Sequence, residues 1–218
     1  MKYHELEKFN EHHLVYKPSD IVKMPPKDLV PFATQASKYI AKYGEGNMFQ
    51  YTPEELQAFM LHGLAMFTTD FTGMLSGFIK VDPWVNYPQG APDNDGLHGS
   101  IQVLQHIDDQ KAHIVGLESG SLVVHENYRE HKIATHLKTK MAEYAMEQLP
   151  NVPIFSVVTN TNTKSIGLNK KVLWHPITPE QSLDMIHLDV LNVPGWDSTI
   201  PVTIFVYPPT LKTAINYT

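Results

Sequence analysis

Apolar residues recur at three- and four-residue intervals between residues 27 and 43 (Leu29, Val30, Ala33, Ala36, Ile40, Ala41), which predicts an amphipathic helix closed by Gly44. Thr52-Pro53-Glu54-Glu55 then sets a capping box with proline at the first helical position, ahead of Leu56, Phe59 and Met60, with Gly63 as the stop. Residues 1–26 are polar and punctuated by Pro18, Pro25 and Pro26, and read as an extended arm carrying one short strand or helical turn. After Gly63 the pattern changes to short apolar runs. Residues 65–70 and 74–82, joined by Phe71-Thr72-Gly73, predict a hairpin. Residues 83–100, with Pro88, Gly90, Pro92 and Gly96, predict a loop long enough to carry function, and 101–106 and 113–124 read as strands. Residues 132–149 hold the most regular helical spacing, Ile133, Leu137, Met141, Ala145 and Leu149, with Lys138, Lys140, Glu143 and Glu147 on other faces and Pro150 as the stop. Val152 to Val158 reads as a strand buried on both faces, 163–171 as a short helix, Thr178-Pro179-Glu180-Gln181 as a second capping box and 200–207 as a last strand. Helices and strands alternating through 113–207 predict a mixed sheet with helices packed on it.

Composition narrows the classes. The chain has 218 residues, 42% hydrophobic and 18% charged, which suits one domain with a real core and excludes a disordered chain. No run of about 18 apolar residues marks a membrane span, and the first eight residues lack the apolar stretch of a secretory signal. A formal charge of −6 argues against a nucleic-acid binder, because phosphate neutralisation needs clustered Lys and Arg. The absence of cysteine removes disulfides, Cys-ligated zinc and a cysteine nucleophile, and fits a cytoplasmic protein.

Chemistry concentrates between Gly116 and Thr135, which read as a strand, a tight loop and a helix start. The first amides of a helix have no partner within it and, with the helix dipole, make a site for an anion such as a diphosphate. From 128 to 140 four basic residues (Arg129, Lys132, Lys138, Lys140) face one acid (Glu130). The same charge also describes a solvated basic helix face, and charge alone does not choose between the two.

The segment Leu122 to Leu137 resembles the central motif of the GNAT superfamily of acyl-CoA-dependent N-acetyltransferases. Leu122, Val124, Tyr128, Arg129 and Ala134 occupy the slots of the Leu-x-Val strand end, the Pro-x-Tyr-Arg loop and the Arg/Gln-x-x-Gly-x-Gly/Ala turn. Glu126 replaces the common proline and Lys132 the first glycine. Asn162, Ser165, Leu168 and Trp174 match the spacing of the family's later motif, with Asn169 in place of its tyrosine and Leu173 in place of its glycine. The resemblance implies an α/β fold of the α+β mixed kind: a central mixed, mostly antiparallel sheet with helices on both faces. It implies one acyltransferase domain over 1–218, with 1–64 contributing to the acceptor side and 65–207 forming the sheet core with the acyl-CoA site.

The implied activity is transfer of an acyl group, most simply acetyl from acetyl-CoA, to the primary amine of a small molecule or peptide. The amine attacks directly, without an acyl-enzyme, a metal, nucleic acid or a membrane, and since family members commonly dimerise, a homodimer is among the assemblies the resemblance allows. The implied co-substrate-binding residues are Leu122, Val123 and Val124 along the pantetheine, Arg129, His131, Lys132, Ile133, Ala134 and Thr135 around the diphosphate, and Asn162 with Ser165 beside the pantetheine amides. Glu118 is the candidate base. It lies four residues before Leu122, and even spacing along a strand puts the two on one face; an exposed strand carboxylate in an ion pair is the competing account. For the acid, Ser165, Tyr128, His125 and solvent all remain open.

Other features are weaker. His125, His131 and His136 are spaced by six and five, which is not the i, i+4 pair of a helical zinc site. Tyr39, Tyr43, Trp84 and Tyr87 read as packing aromatics before substrate-facing ones. Two rival functions stay beside acyl transfer: a non-catalytic acyl-CoA binder of the same fold, and a regulatory protein that assembles through an exposed sheet edge.

Overall fold

The computed structural model describes residues 6–43, 50–89, 101–186, 188 and 199–208. Its strands are β1 (Glu7–Asn10), β2 (His13–Tyr16), β3 (Ala65–Asp70), β4 (Leu75–Asn86), β5 (His113–Val124), β6 (Ile154–Thr159), β7 (His175–Ile177) and β8 (Val202–Val206). Its helices are α1 (Pro18–Ile21), α2 (Pro26–Tyr43), α3 (Pro53–Leu61), α4 (Ile101–Asp108), α5 (Ile133–Gln148), α6 (Thr163–Lys171) and α7 (Ser182–Ile186). The strands follow the order β1-β2-β3-β4-β5-β6-β8-β7 in one mixed sheet. β5 and β6 run parallel, whereas β1–β2, β2–β3, β3–β4, β6–β8 and β7–β8 pair antiparallel. By contacts the chain divides into two compact units, Met1–Val81 with Gly120–Met141, and Asp82–Ser119 with Ala142–Thr218.

In the first unit the buried stripe of α2 is Leu29, Ala33, Ala36 and Ile40, at the helical period, while Val30 is exposed. α3 starts as its capping box requires. Thr52 Oγ1 accepts from the Glu55 amide at 3.2 Å, and Glu55 accepts from the Thr52 amide at 2.7 Å. Both helices join Phe67 and Phe78 in one apolar cluster, so that face of β3–β4 is covered. On the other face Thr68 pairs with Gly77, where an added Cβ would lie 2.5 Å from Ile133 Cγ2 and 3.0 Å from Leu137 Cδ1. Helices therefore pack on both faces of this part of the sheet, and α5 approaches through the missing side chain of Gly77. Lys80 is fully buried in β4, its ammonium 4.0 Å and 4.2 Å from the ring centres of Tyr51 and Phe59.

The second unit has its own cluster of Trp84, Phe155, Ile177, Ile186, Leu188, Ile204 and Val206. β6 pairs with β5 only through Leu117–Ile154 and Glu118–Phe155 among the described residues, while its other edge pairs with β8 from Phe155 to Thr159.

Several expectations need correction. The polar arm holds two strands and a helical turn, with His13 fully buried in β2. Residues 83–86 extend β4, and 90–100 of the expected loop lie outside the described residues, as does Gly44. Residues 101–106 belong to a helix: Val103 and Leu104 are buried, a helical stripe hidden behind β-branched residues. Lys138, expected on a polar face of α5, is buried. Among the described residues no helix is long and apolar enough to cross a membrane.

Candidate functional site

The loop from β5 to α5 lies wholly in the first unit. β5 ends with the His125 amide on the Ser76 carbonyl at 3.0 Å. A single 3-10 turn over Glu126–Tyr128 follows, capped by His125 Nδ1, which accepts from the Asn127 amide at 3.3 Å. The chain then reverses at Lys132, which adopts φ +59°. The first bond of α5 runs from the His136 amide to the Lys132 carbonyl at 3.0 Å. The amides of Ile133, Ala134 and Thr135 precede that bond and have no acceptor within the helix, so they present N–H dipoles at the positive end of a 16-residue helix. Ile133 is fully buried and fixes this end against Gly77, while Lys132 is exposed. Such an arrangement fits an anionic diphosphate.

Two side chains anchor the loop. Tyr128 donates from its hydroxyl to Asp70 Oδ2 at 2.7 Å. Burial, together with the Asp70 carboxylate, pushes the Tyr128 phenol up to about 12, so it stays protonated and a donor. Asp70 is itself fixed in the β3–β4 turn: its Oδ1 accepts from the Thr72 amide at 2.9 Å, the Thr72 hydroxyl at 2.6 Å and the Met74 amide at 3.0 Å. Next along the loop, His131 Nδ1 meets His13 Nε2 at 3.0 Å, one ring donating and the other accepting. Burial first, then the neighbouring His131 and His12, lower the proton affinity of His13. Arg129 is exposed, its guanidinium 4.9 Å from the ring centre of Tyr43, and Glu126 pairs with Lys42 at 2.9 Å on the surface. Tyr39 packs 5.1 Å from His125 and donates to the Leu75 carbonyl at 3.2 Å.

In β5 itself Val123 is buried in the apolar cluster, and Leu122 and Val124 are half-buried. Ser121, one residue earlier, has φ +47°. This left-handed residue falls between Glu118 and Leu122 and interrupts the regular two-residue alternation that the even-spacing argument assumes.

In the second unit Glu118 sits beside Phe155 in the parallel ladder, and Trp84 Nε1 donates to its Oε2 at 3.1 Å. Trp84 is buried and meets Phe155 edge-on with 5.0 Å between ring centres. Asn162 caps α6, its side-chain oxygen accepting from the Ser165 amide at 3.1 Å. Asn169, in the slot of the family tyrosine, is buried and donates to the Ser165 carbonyl at 2.9 Å, and its Oδ1 is buried with no hydrogen-bond partner. Leu173 has φ +60° and closes α6: its amide reaches the Lys170 carbonyl and that of Trp174 the Asn169 carbonyl, the bonds of a Schellman turn. Lys132 and Leu173, each standing where the motifs ordinarily carry glycine, thus both take a left-handed backbone that glycine adopts without strain. Sequence reasoning missed Asp70 and His13; an Asp-x-Thr-Gly turn was visible, but not its partner 58 residues on.

A family model described as the acetyltransferase (GNAT) family matches residues 43–173. That is more than half of the chain, which therefore belongs to the GNAT acetyltransferase family. Among solved structures, that of yncA from Salmonella typhimurium with acetyl-CoA is 9% identical over 89% of this chain and 91% of that one, with a TM-score of 0.50. An Arabidopsis thaliana NAA60 structure with a bisubstrate analogue is 15% identical over 89% and 97%, at 0.48, and a GNAT-family acetyltransferase from Streptococcus agalactiae 11% over 93% and 96%, at 0.48. At these identities the likeness is one of fold. No curated protein sequence matches the chain.

Proposed function

We propose that this acetyltransferase moves an acyl group from an acyl-CoA, most simply acetyl-CoA, to a primary amine of a small molecule or peptide by direct attack. The observation that carries the reading is the start of α5: left-handed Lys132 followed by the helix-end amides of Ile133, Ala134 and Thr135. These amides hold the diphosphate, with Arg129, His131 and Lys132 as nearby cationic or donor side chains. Leu122, Val123 and Val124 offer backbone groups to the pantetheine, and an amide there polarises the thioester carbonyl as charge develops on its oxygen. Asn162 contributes its amide NH2, since its carbonyl end already caps α6.

An alkylammonium has a pKa of about 10.4, so the acceptor must lose a proton before it can attack. Glu118 takes that proton, held by the Trp84 indole. Nitrogen then bonds to the carbonyl carbon and gives up its second proton to solvent, the carbon–sulfur bond breaks, and the leaving thiolate takes up a proton from solvent. The yncA structure, of the same fold, contains acetyl-CoA.

The test is CoA thiol release with acetyl-CoA and a panel of amines, followed with a thiol-reactive dye. The chain has no cysteine and contributes no background. Thiol release with at least one amine is the expected result. A second reading, a binder without turnover, draws on Asn169, which is buried where the family places its tyrosine acid. It predicts a rise in melting temperature with acetyl-CoA and no thiol release across the panel.

A further inference from the structure

The loop that opens α5 pays for its shape at one residue. Lys132 stands at φ +59°, where a side chain crowds the backbone and glycine is ordinarily used. Such a conformation persists only when its surroundings over-determine it. Here the surroundings are identifiable, and both come from earlier in the same unit. Four residues before Lys132, Tyr128 is tied to Asp70 at 2.7 Å; one residue before it, His131 is tied to His13 at 3.0 Å. Neither anchor floats. Asp70 is gripped by three further bonds in its turn, and it pairs with His13 in the β2–β3 register. The rings of His13 and Tyr128 meet edge-on at 5.0 Å, so the two ties form one packed unit.

We propose that Tyr128 and His131 are positioning residues: braced by Asp70 and His13, they hold Lys132 in its left-handed conformation and so pre-aim the amides of Ile133, Ala134 and Thr135 at the diphosphate of acyl-CoA. This inference rests on the reading of that loop as the diphosphate cradle. It assigns the hairpin β1–β2, which precedes every residue of the family motif, a part in co-substrate affinity. It also accounts for a lysine at a glycine position: the network supplies the constraint that glycine makes unnecessary.

The brace makes a distinctive prediction, because glycine at 132 needs no holding. CoA affinity is measured by calorimetry on the full chain and on Tyr128→Phe, His131→Ala, Lys132→Gly and Tyr128→Phe/Lys132→Gly, with urea midpoints for all five. Tyr128→Phe and His131→Ala are each expected to raise the Kd for CoA about five- to tenfold, the loss of one hydrogen bond to a charged or polar partner. On the Lys132→Gly background the Tyr128→Phe loss is expected to shrink to less than about twofold, whatever Lys132→Gly does alone. Equal losses on both backgrounds, or no loss in either single variant while the parent chain binds, overturn the inference. Should Tyr128→Phe fold poorly, His131→Ala, whose ring is exposed, is compared alone and on the Lys132→Gly background, with the same shrinkage expected and equal losses again overturning the inference. Failure of the parent chain to bind CoA overturns the cradle reading instead; the urea midpoints then judge the brace separately, and additive shifts reject it.

Discussion

Leu173 and Lys132 share an unusual backbone but differ in what it costs to relieve it. Leu173 is 79% exposed and its side chain buries little, so its left-handed φ brings strain with little packing in return. Leu173→Gly is therefore expected to stabilise the protein by about 1 kcal/mol, read as a higher urea midpoint at unchanged slope. Glu118→Gln keeps the shape and still accepts a hydrogen bond from Trp84, but it loses the negative charge that takes a proton. Turnover is expected to fall by about 100-fold or more with the Kd for CoA unchanged. An unaltered rate, measured by thiol release, removes Glu118 from the role of base.

Elements carry the site through their packing. The β3–β4 hairpin and α5 meet where Gly77 lacks a side chain, under the two residues, Ile133 and Leu137, that begin the buried face of α5. Gly77→Ala would set a methyl 2.5 Å from Ile133 Cγ2. The expected cost is about 2 kcal/mol in chemical denaturation, together with weaker CoA binding, because Ile133 also carries one of the helix-end amides. Much at this scale was legible beforehand. The helices at 27–43 and 163–171, the capping box at Thr52 and the strand at 113–124 follow from local grammar, each set by residues a few positions apart. The helix at 101–108 was not, because Ile101 and Val103 favour strands locally and only tertiary burial of one side decides the period. The candidate loop was located by its motif, but not what supports it. The Tyr128–Asp70 and His131–His13 bonds join residues far apart in the chain, and the left-handed residues at 121, 132 and 173 are ones for which no residue-level preference predicts that conformation.

For the molecule as a whole, the anchors of the loop tie stability to pH. Burial and its histidine neighbours lower the proton affinity of His13 below its ordinary value of 6.5. As pH falls below 6.5 the unfolded chain takes up a proton there that the native chain resists, so His13 subtracts stability on acidification. Asp70 acts at lower pH. Burial raises its proton affinity, but hydrogen bonds from Thr72, Tyr128 and Met74 outweigh this and hold the carboxyl below 3.8. Its contribution is present above that value and is lost as pH falls through the lower native one. Urea midpoints are therefore expected to decline below about pH 6.5, and His13→Asn to flatten the first part of that decline. A midpoint that holds level from pH 7 to pH 5 in the parent chain counts against a buried, neutral His13.

The same unit also imposes an order on synthesis. Its first piece, Met1–Val81, leaves the ribosome well before its second, Gly120–Met141. Throughout that interval α2 and α3 are available to cover one side of β3–β4, while the side at Gly77 waits for Ile133 and Leu137. The nascent chain thus carries an uncovered apolar strand face until some fifty further residues have been added, a delay of about 3–10 s at ordinary elongation rates. That interval is when a chaperone has the most to bind, and when the growing chain is most exposed to association with its neighbours.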